Sequence, residues 1–261
     1  MRTYFITGAS SGIGLATANA LLTSGHRVIG IDLSGSDVSA DLSTRDGRSK
    51  AIHDGLSLSQ GSVDAVIACA GLGLPIAKTV SVNYFGVTQF LNELLPVLTK
   101  SSTPRVVITS SMASLTPNSK ELVDAMLADD EEGSTRIAQE LVNAGGGAQH
   151  LIYSSTKRAI SRWIRRECIK TQWAGAGIPL NAVGPAIVKT PMVAKFIATS
   201  ETRKDLDAQV PMPLNYYMEP ETVASLLIWL TSEANTHTTG QTIYIDGGSE
   251  VMLRGEDIWK N

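Results

Sequence analysis

Residues 7–14 read TGASSGIG. The apolar run Tyr4–Thr7 leads straight into them, and a helically spaced stretch, Gly14–Ser24, leads straight out. Short apolar runs closed by glycines read as buried strands, and Leu15, Ala18, Leu21 and Leu22 fall on one helix face. Gly25 stands where a glycine ends a helix. Glycines at such a strand-to-helix turn let the backbone come close to a ligand, and the helix N-terminus offers free N–H groups to a pyrophosphate. The following strand, Val28–Ile31, is closed by Asp32, an acidic residue where a dinucleotide site meets the adenosine ribose. The glycines are spaced G-x-x-x-G-x-G, not the commoner G-x-G-x-x-G, so context supports this reading more than the string does.

Strand and helix keep alternating beyond Asp32. A helix is expected over Arg45–Ser57, a strand over Val63–Cys69, a long helix over Val80–Leu98 and a fourth strand over Arg105–Thr109. That alternation implies a parallel sheet covered by helices on both faces. Right-handed crossovers make it a doubly wound α/β fold. No repeat, linker or composition shift divides the chain, so residues 1–261 are expected to form one domain. One segment breaks the rhythm. Residues 116–149 hold two helical patches, Lys120–Leu127 and Arg136–Ala144. Asn118 is placed to cap the first, with Glu121 three residues on. Gly145–Gly147 ends the second, and the acidic run Asp129–Glu132 lies between them. The segment reads as a helical insert.

Bulk composition excludes several classes. Of 261 residues 43% are apolar and 18% charged, and the formal net charge is −3. That is an ordinary globular composition with no pull toward nucleic acid or an anionic membrane. No apolar run reaches the ~18 residues of a membrane span. The first residues lack the charged-then-apolar pattern of a secretory signal. Cys69 and Cys168 share no metal-like spacing, so they are expected to be buried thiols in a reducing, cytoplasmic setting. The four histidines are scattered, and no metal site is expected. Arg158, Arg162, Arg165, Arg166 and Lys170 make one helix basic. A solvated or acid-paired helix face accounts for them better than a nucleic-acid stripe.

Gly8, Gly12 and Gly14 in TGASSGIG, Asn83 in VNYFG, Ser111 in ITSSMAS, Tyr153 and Lys157 in YSSTK, and the DGG of Asp246–Gly248 belong together. In combination they resemble the short-chain dehydrogenase/reductase family over nearly the whole chain. IDLSGSDVSADLST, CAGLG and VSVNYFG are most similar to its bacterial 3α-hydroxysteroid dehydrogenase/carbonyl reductase branch. The resemblance implies a Rossmann-type domain that binds NAD and interconverts a secondary alcohol and a ketone. The implied substrate is a small molecule, a hydroxysteroid or another bulky apolar carbonyl compound. Gly8, Ser10, Ser11, Gly12, Ile13 and Gly14 are implied to hold the pyrophosphate, Asp32 the ribose hydroxyls, and Asp41 and Leu42 the adenine. Ala70 and Gly71 would admit the adenosine ribose, and Val188 and Thr190 would hold the carboxamide.

The same resemblance makes Tyr153 the acid/base, Lys157 its electrostatic partner and a ribose ligand, and Ser111 the partner of the substrate oxygen. Asn83 is implied to hold a water that relays protons to Lys157. The chemistry agrees. A carbinol carbon gives up a hydride only as its hydroxyl proton is removed, and a free tyrosine with a pKa near ~10 is a poor base at neutral pH. An ammonium four residues along a helix lies on the same face. With the positive nicotinamide ring, it favours the phenolate.

Three features depart from the family pattern. The insert separates Ser111 from Tyr153, so Ser110 and Ser114 stay open as alternatives to Ser111. Cys69 stands where an asparagine is usual. Gly184, Pro185 and Ala186 replace the usual Pro-Gly. Residues 191–218 match a substrate lid, where Met192, Phe196, Ile197, Val210, Met212 and Leu214 suit a large apolar substrate or, equally, simple packing.

Other readings make distinct demands. A sugar epimerase or dehydratase on a similar fold needs a larger C-terminal domain than the residues after Pro191 supply. A non-catalytic NAD-binding regulator is expected to lack Tyr153, Lys157 or Ser111. A dehydrogenase of a smaller alcohol remains open. For assembly, the insert and the arginines of the Tyr153–Trp173 helix argue against pairing through the two long helices. A homodimer through Glu221–Ile245 is expected instead.

Overall fold

Phe5 and Ile6 are neighbours in β1 (Thr3–Thr7), and both are fully buried. Side chains alternate along a strand, so a strand buried throughout needs a covering layer on each face. Phe5 joins a core with Ile52 of α2 (Arg45–Ser59), Leu91 of α4 (Gly86–Leu98) and Ile160 of α7 (Leu151–Glu167). Tyr4 and Ile6 join a second core with Leu21 of α1 (Gly12–Thr23) and Leu227 of α9 (Pro220–Thr231). The computed structural model describes residues 1–259.

The remaining strands are β2 (Arg27–Asp32), β3 (Val38–Ser39), β4 (Ala65–Ala68), β5 (Arg105–Thr109), β6 (Leu180–Pro185) and β7 (Thr242–Ile245). All pair in parallel, in the order β3-β2-β1-β4-β5-β6-β7. This is the doubly wound α/β fold expected from the alternation. Strand order reverses between β1 and β4, which opens a crevice at their C-terminal ends. Thr7 pairs with Ile31 and Ala68, so Gly8, Asp32 and Cys69 emerge side by side at that crevice. No helix among the described residues is long and apolar enough to cross a membrane.

Several boundaries differ from expectation. The two-residue β3 is too short to leave a periodic trace. The long helix starts at α3 (Lys78–Val80) and widens into a π turn at Ser81–Phe85 before α4. The Tyr153 helix ends at Glu167 rather than Trp173. In the insert, α5 (Lys120–Leu127) has the expected bounds, but Ser119, not Asn118, caps it, accepting from the Leu122 N–H. Asn118 donates to the Thr116 carbonyl instead. Helix α6 (Glu131–Ala144) begins before Arg136 because Asp130 caps it, accepting from the Gly133 N–H. The acidic run is therefore partly a cap and a first turn, where carboxylates offset the helix dipole. Residues 191–218 carry α8 (Ser200–Gln209), capped by Thr199, which accepts from the Thr202 N–H.

The insert lies along α7. Ser119 N–H donates to Ser155 Oγ at 2.9 Å, and Ser154 Oγ donates to the Pro117 carbonyl at 2.6 Å. Arg162 reaches Asp124 at 3.3 Å, and Arg166 donates to the Leu127 carbonyl at 2.6 Å.

Candidate active site

The glycine turn is built so tightly that side chains have no room. A Cβ on Gly14 would lie 2.1 Å from the Gly8 carbonyl oxygen. Gly8 has φ +71°, and a Cβ there would lie 2.7 Å from the Ala70 nitrogen. The loop after β4 thus rests against the turn, and the Ala70 N–H donates to Thr7 Oγ1 at 3.1 Å. Ser11 precedes α1 without a side-chain capping bond, so it leaves first-turn N–H groups free to meet an anion. Asp32 Oδ2 accepts from the Ser10 N–H at 3.0 Å and from Ser10 Oγ at 2.6 Å, while Oδ1 accepts from the Leu33 N–H at 2.7 Å. An ionised carboxylate has about four acceptor sites, so capacity remains for ribose hydroxyls. Thr190 stands beside the turn, its Cγ2 3.1 Å from where a Gly12 Cβ would be. The chain before it is held by a parallel bridge between Val188 and Met218. This cradle fits a dinucleotide pyrophosphate with a ribose beside Asp32.

Asp41 and Leu42 follow β3. Asp41 accepts from Lys78 Nζ at 2.9 Å, and from Ser43 through its N–H at 2.9 Å and its Oγ at 2.7 Å. The Ser43 hydroxyl is the main cause that holds its carboxyl down at about 2. Leu42 is buried, and a Cβ on Gly86 would meet its carbonyl oxygen at 2.9 Å.

The three candidate serines have different partners. Ser110 is buried, its Oγ 3.3 Å from the Lys157 carbonyl and 3.1 Å from Ser161 Oγ. Ser114 is buried against the Tyr244 hydroxyl at 2.8 Å. Ser111 lies close enough to the Tyr153 hydroxyl to favour its phenolate, and its Oγ donates to the Pro185 carbonyl at 3.5 Å. Its Oγ also accepts from the Ala113 N–H at 3.1 Å, capping the short 3₁₀ turn Met112–Leu115. The geometry therefore joins Ser111 to Tyr153 despite the intervening insert.

Lys157 is 5% exposed, and its Nζ donates to the Thr109 carbonyl at 2.9 Å, at the end of β5. It also lies 5.6 Å from the centre of the Tyr153 ring. Burial pushes Lys157 down to about 8. Burial also pushes the Tyr153 hydroxyl above its usual value near 10, and the nearby Ser111 hydroxyl only partly offsets this. A lowered tyrosine is what the sequence leads one to expect. In the protein alone, desolvation of the phenolate outweighs the polar contacts.

Asn83 sits in the π turn, and its amide clamps the loop after β4. Oδ1 accepts from the Leu72 N–H at 2.7 Å, and Nδ2 donates to the Leu72 carbonyl at 2.9 Å and to Thr156 Oγ1 at 3.2 Å. Both amide N–H groups are thus used by protein partners, while Oδ1 keeps one acceptor site. A Cβ on Gly71 would approach Asn83 Oδ1 to 3.3 Å and Lys157 Nζ to 3.9 Å, so this loop passes beside the lysine. Cys69 meets Thr109 Oγ1 at 3.1 Å, and burial raises its thiol to about 11. A weak thiol contact takes the place of the asparagine contacts expected to be lost there.

Contacts from the C-terminal segment complete the surroundings of the site. Tyr244 braces Ser114, and its ring lies 2.7 Å from where a Gly184 Cβ would be. Asp246 of the DGG accepts from the Gly248 N–H at 3.0 Å and the Glu250 N–H at 2.6 Å, which starts α10 (Ser249–Arg254). Ser249 Oγ donates to the Pro211 carbonyl. The C-terminal segment is thereby tied to residues 191–218. There Met192, Phe196 and Leu214 are exposed, and Ile197, Val210 and Met212 are half-buried. Among the described residues no group of three acidic, histidine or cysteine side chains is gathered as a metal site.

The family model described as Enoyl-(Acyl carrier protein) reductase matches residues 119–250. The 3-alpha-hydroxysteroid dehydrogenase/carbonyl reductase of Comamonas testosteroni is 34% identical over 254 residues, covering 95% of this chain and 96% of its own. Among solved structures, the 3-alpha-hydroxysteroid dehydrogenase of Pseudomonas sp. B-0831, complexed with NADH, matches with a TM-score of 0.89 and 34% identity. That match covers 98% of this chain and 100% of the other.

Proposed function

This chain belongs to the short-chain dehydrogenase/reductase family and is an oxidoreductase acting on an alcohol/carbonyl pair, and from that premise we propose that it uses NAD(H) on a bulky apolar substrate of the hydroxysteroid kind. The observation that supports this most is the meeting of Ser111, Tyr153 and Lys157 at the end of β5. When bound, NAD(H) supplies or takes up the hydride. Ser111 and Tyr153 hold the substrate oxygen between them, and the Tyr153 hydroxyl moves the proton. Lys157 supplies positive charge that favours the phenolate and holds the ribose. Asn83 fixes the 70–72 loop through its amide, and its Oδ1 keeps a second acceptor site. That site can hold the water that relays protons to Lys157.

NAD(H) is favoured over NADP(H) by Asp32. An added phosphate there would face a carboxylate, and two like charges ~4 Å apart near a surface cost about 4 kcal/mol, on the order of a thousandfold in affinity. Leu33–Ser36 offers no arginine to offset it. Exposed apolar side chains at Met192, Phe196 and Leu214 favour a lid over an apolar substrate rather than simple packing. The test is NADH oxidation, followed by absorbance, with 3-ketosteroids against small ketones, repeated with NADPH. Equal efficiency with both cofactors overturns the Asp32 argument, and turnover of small ketones alone overturns the bulky-substrate reading.

We also propose a cytoplasmic homodimer formed through α9 and β7. Cys69 and Cys168 are both free thiols, which suits a reducing compartment. All four residues of β7 are half-buried at the edge of the sheet, and Trp229 of α9 is 45% exposed. An unpaired edge beside an exposed tryptophan is a surface that a second copy can cover.

A further inference from the structure

Arg48 of α2 is 2% exposed, and its guanidinium serves two segments at once. Nη1 and Nη2 meet Oε1 and Oε2 of Glu131 at 3.1 and 2.8 Å, a bidentate pair. Nη1 also donates to the Leu42 carbonyl at 3.2 Å. Glu131 opens α6 and so belongs to the insert. Leu42 belongs to the loop that follows β3. Removing the carboxylate from a buried guanidinium pair leaves an uncompensated charge, and the rigid fork transmits the partner's position. Arg48 Nε is buried without a partner, so the group has little to fall back on if Glu131 is lost. It would turn toward water, and the Leu42 carbonyl would lose its donor.

We propose that Glu131 is a positioning residue for the adenosine end of the cofactor site, acting through Arg48 on the backbone of Leu42. The insert then has a second role besides covering α7: it braces the loop that meets the adenine. This rests on the reading that Asp41 and Leu42 take the adenine, and it predicts a defect confined to ligands that carry adenosine.

Glu131→Gln is the first variant, since it keeps shape and one acceptor oxygen. Arg48→Lys is the second, since an ammonium cannot reproduce the fork. Both are expected to bind ADP-ribose and NADH on the order of tenfold more weakly, the scale of one lost hydrogen bond to a charged group. Turnover with reduced nicotinamide mononucleotide, which lacks adenosine, is expected to stay at the wild-type rate. Arg136→Ala removes an exposed ion pair with Glu140 on the same helix and is expected to change neither. Calorimetry with ADP-ribose reads the first quantity, and steady-state kinetics with the mononucleotide reads the second. Unchanged ADP-ribose affinity in both variants overturns the proposal. An equal loss with the mononucleotide also overturns it, because the effect is then a general softening of the fold. Wild-type protein that binds no ADP-ribose overturns the cofactor reading itself.

Discussion

Lys157 in the folded protein titrates at about 8, below the 10.5 of an unperturbed lysine, because burial disfavours its ammonium. Between those values the unfolded chain binds more protons, so this group's contribution to stability rises with pH across that window. Below it the full cost remains, about 3 kcal/mol for the size of the shift. The bond to the Thr109 carbonyl returns about 1 kcal/mol. Lys157→Met is therefore expected to raise stability at pH 7 by about 2 kcal/mol, and to lose that advantage altogether near pH 10.5. Thermal unfolding at the two pH values checks it; a destabilised variant at pH 7 refutes it. The same change should abolish turnover and weaken NADH binding. For Tyr153→Phe the ring packing is kept and only the proton-carrying hydroxyl goes. We expect a rate loss on the order of a thousandfold with ADP-ribose binding unchanged; a variant within tenfold of wild type removes Tyr153 from the chemistry. Ser111→Ala should lose far more rate than Ser114→Ala, and the opposite ranking would mean that the serine beside Tyr153 is not the catalytic one.

At the scale of elements, the turn into α1 depends on one carbonyl lying where a side chain would be. Gly14→Ala is expected to force that turn open, because its Cβ would sit 2.1 Å from the Gly8 oxygen. NADH affinity should fall at least tenfold, with a lower melting temperature; wild-type affinity by fluorescence titration would show that the turn can yield. The insert shows what local sequence leaves undecided. Asn118 and Ser119 are both good caps, and the choice between them depends on which one the chain holds in position to receive the Leu122 N–H. The preceding segment is tied to α7 by Ser154 Oγ at the Pro117 carbonyl and by Ser155 Oγ at the Ser119 N–H. Those contacts are tertiary, so no local pattern announces them.

For the whole molecule, the insert occupies a flank of α7 through Asp124 and the Leu127 carbonyl, while Arg158 and Arg165 on the same helix remain exposed. A second copy would meet covered ground and like charge there. Pairing through α9 and β7 predicts a mass of twice one chain by light scattering, with on the order of 1,000 Å² or more buried. Trp229→Asp should shift the mass toward a single chain. A tetramer centred on α4 and α7 would show that the insert does not block that surface.

Alternation of strand and helix, the glycine turn and Asp32 were legible in the sequence because each depends on neighbours a few residues away. Backbone room, helix start and strand end are local demands, and they determined the doubly wound fold and the tight turn into α1. Tyr153 and Lys157 came from the family resemblance; their spacing of one helical turn agrees with it but does not single them out. Which serine meets Tyr153 was not local: Ser110, Ser111 and Ser114 differ only in where the end of β5 and the following turn aim them, and Lys157, Tyr153 and Tyr244 each take one. The raised tyrosine and lowered lysine likewise come from desolvation, which exists only once α7 is packed against the sheet. The Arg48–Glu131 pair joins residues 83 positions apart; folding alone put them in contact, where burial of the guanidinium makes its charge depend on the half-buried carboxylate.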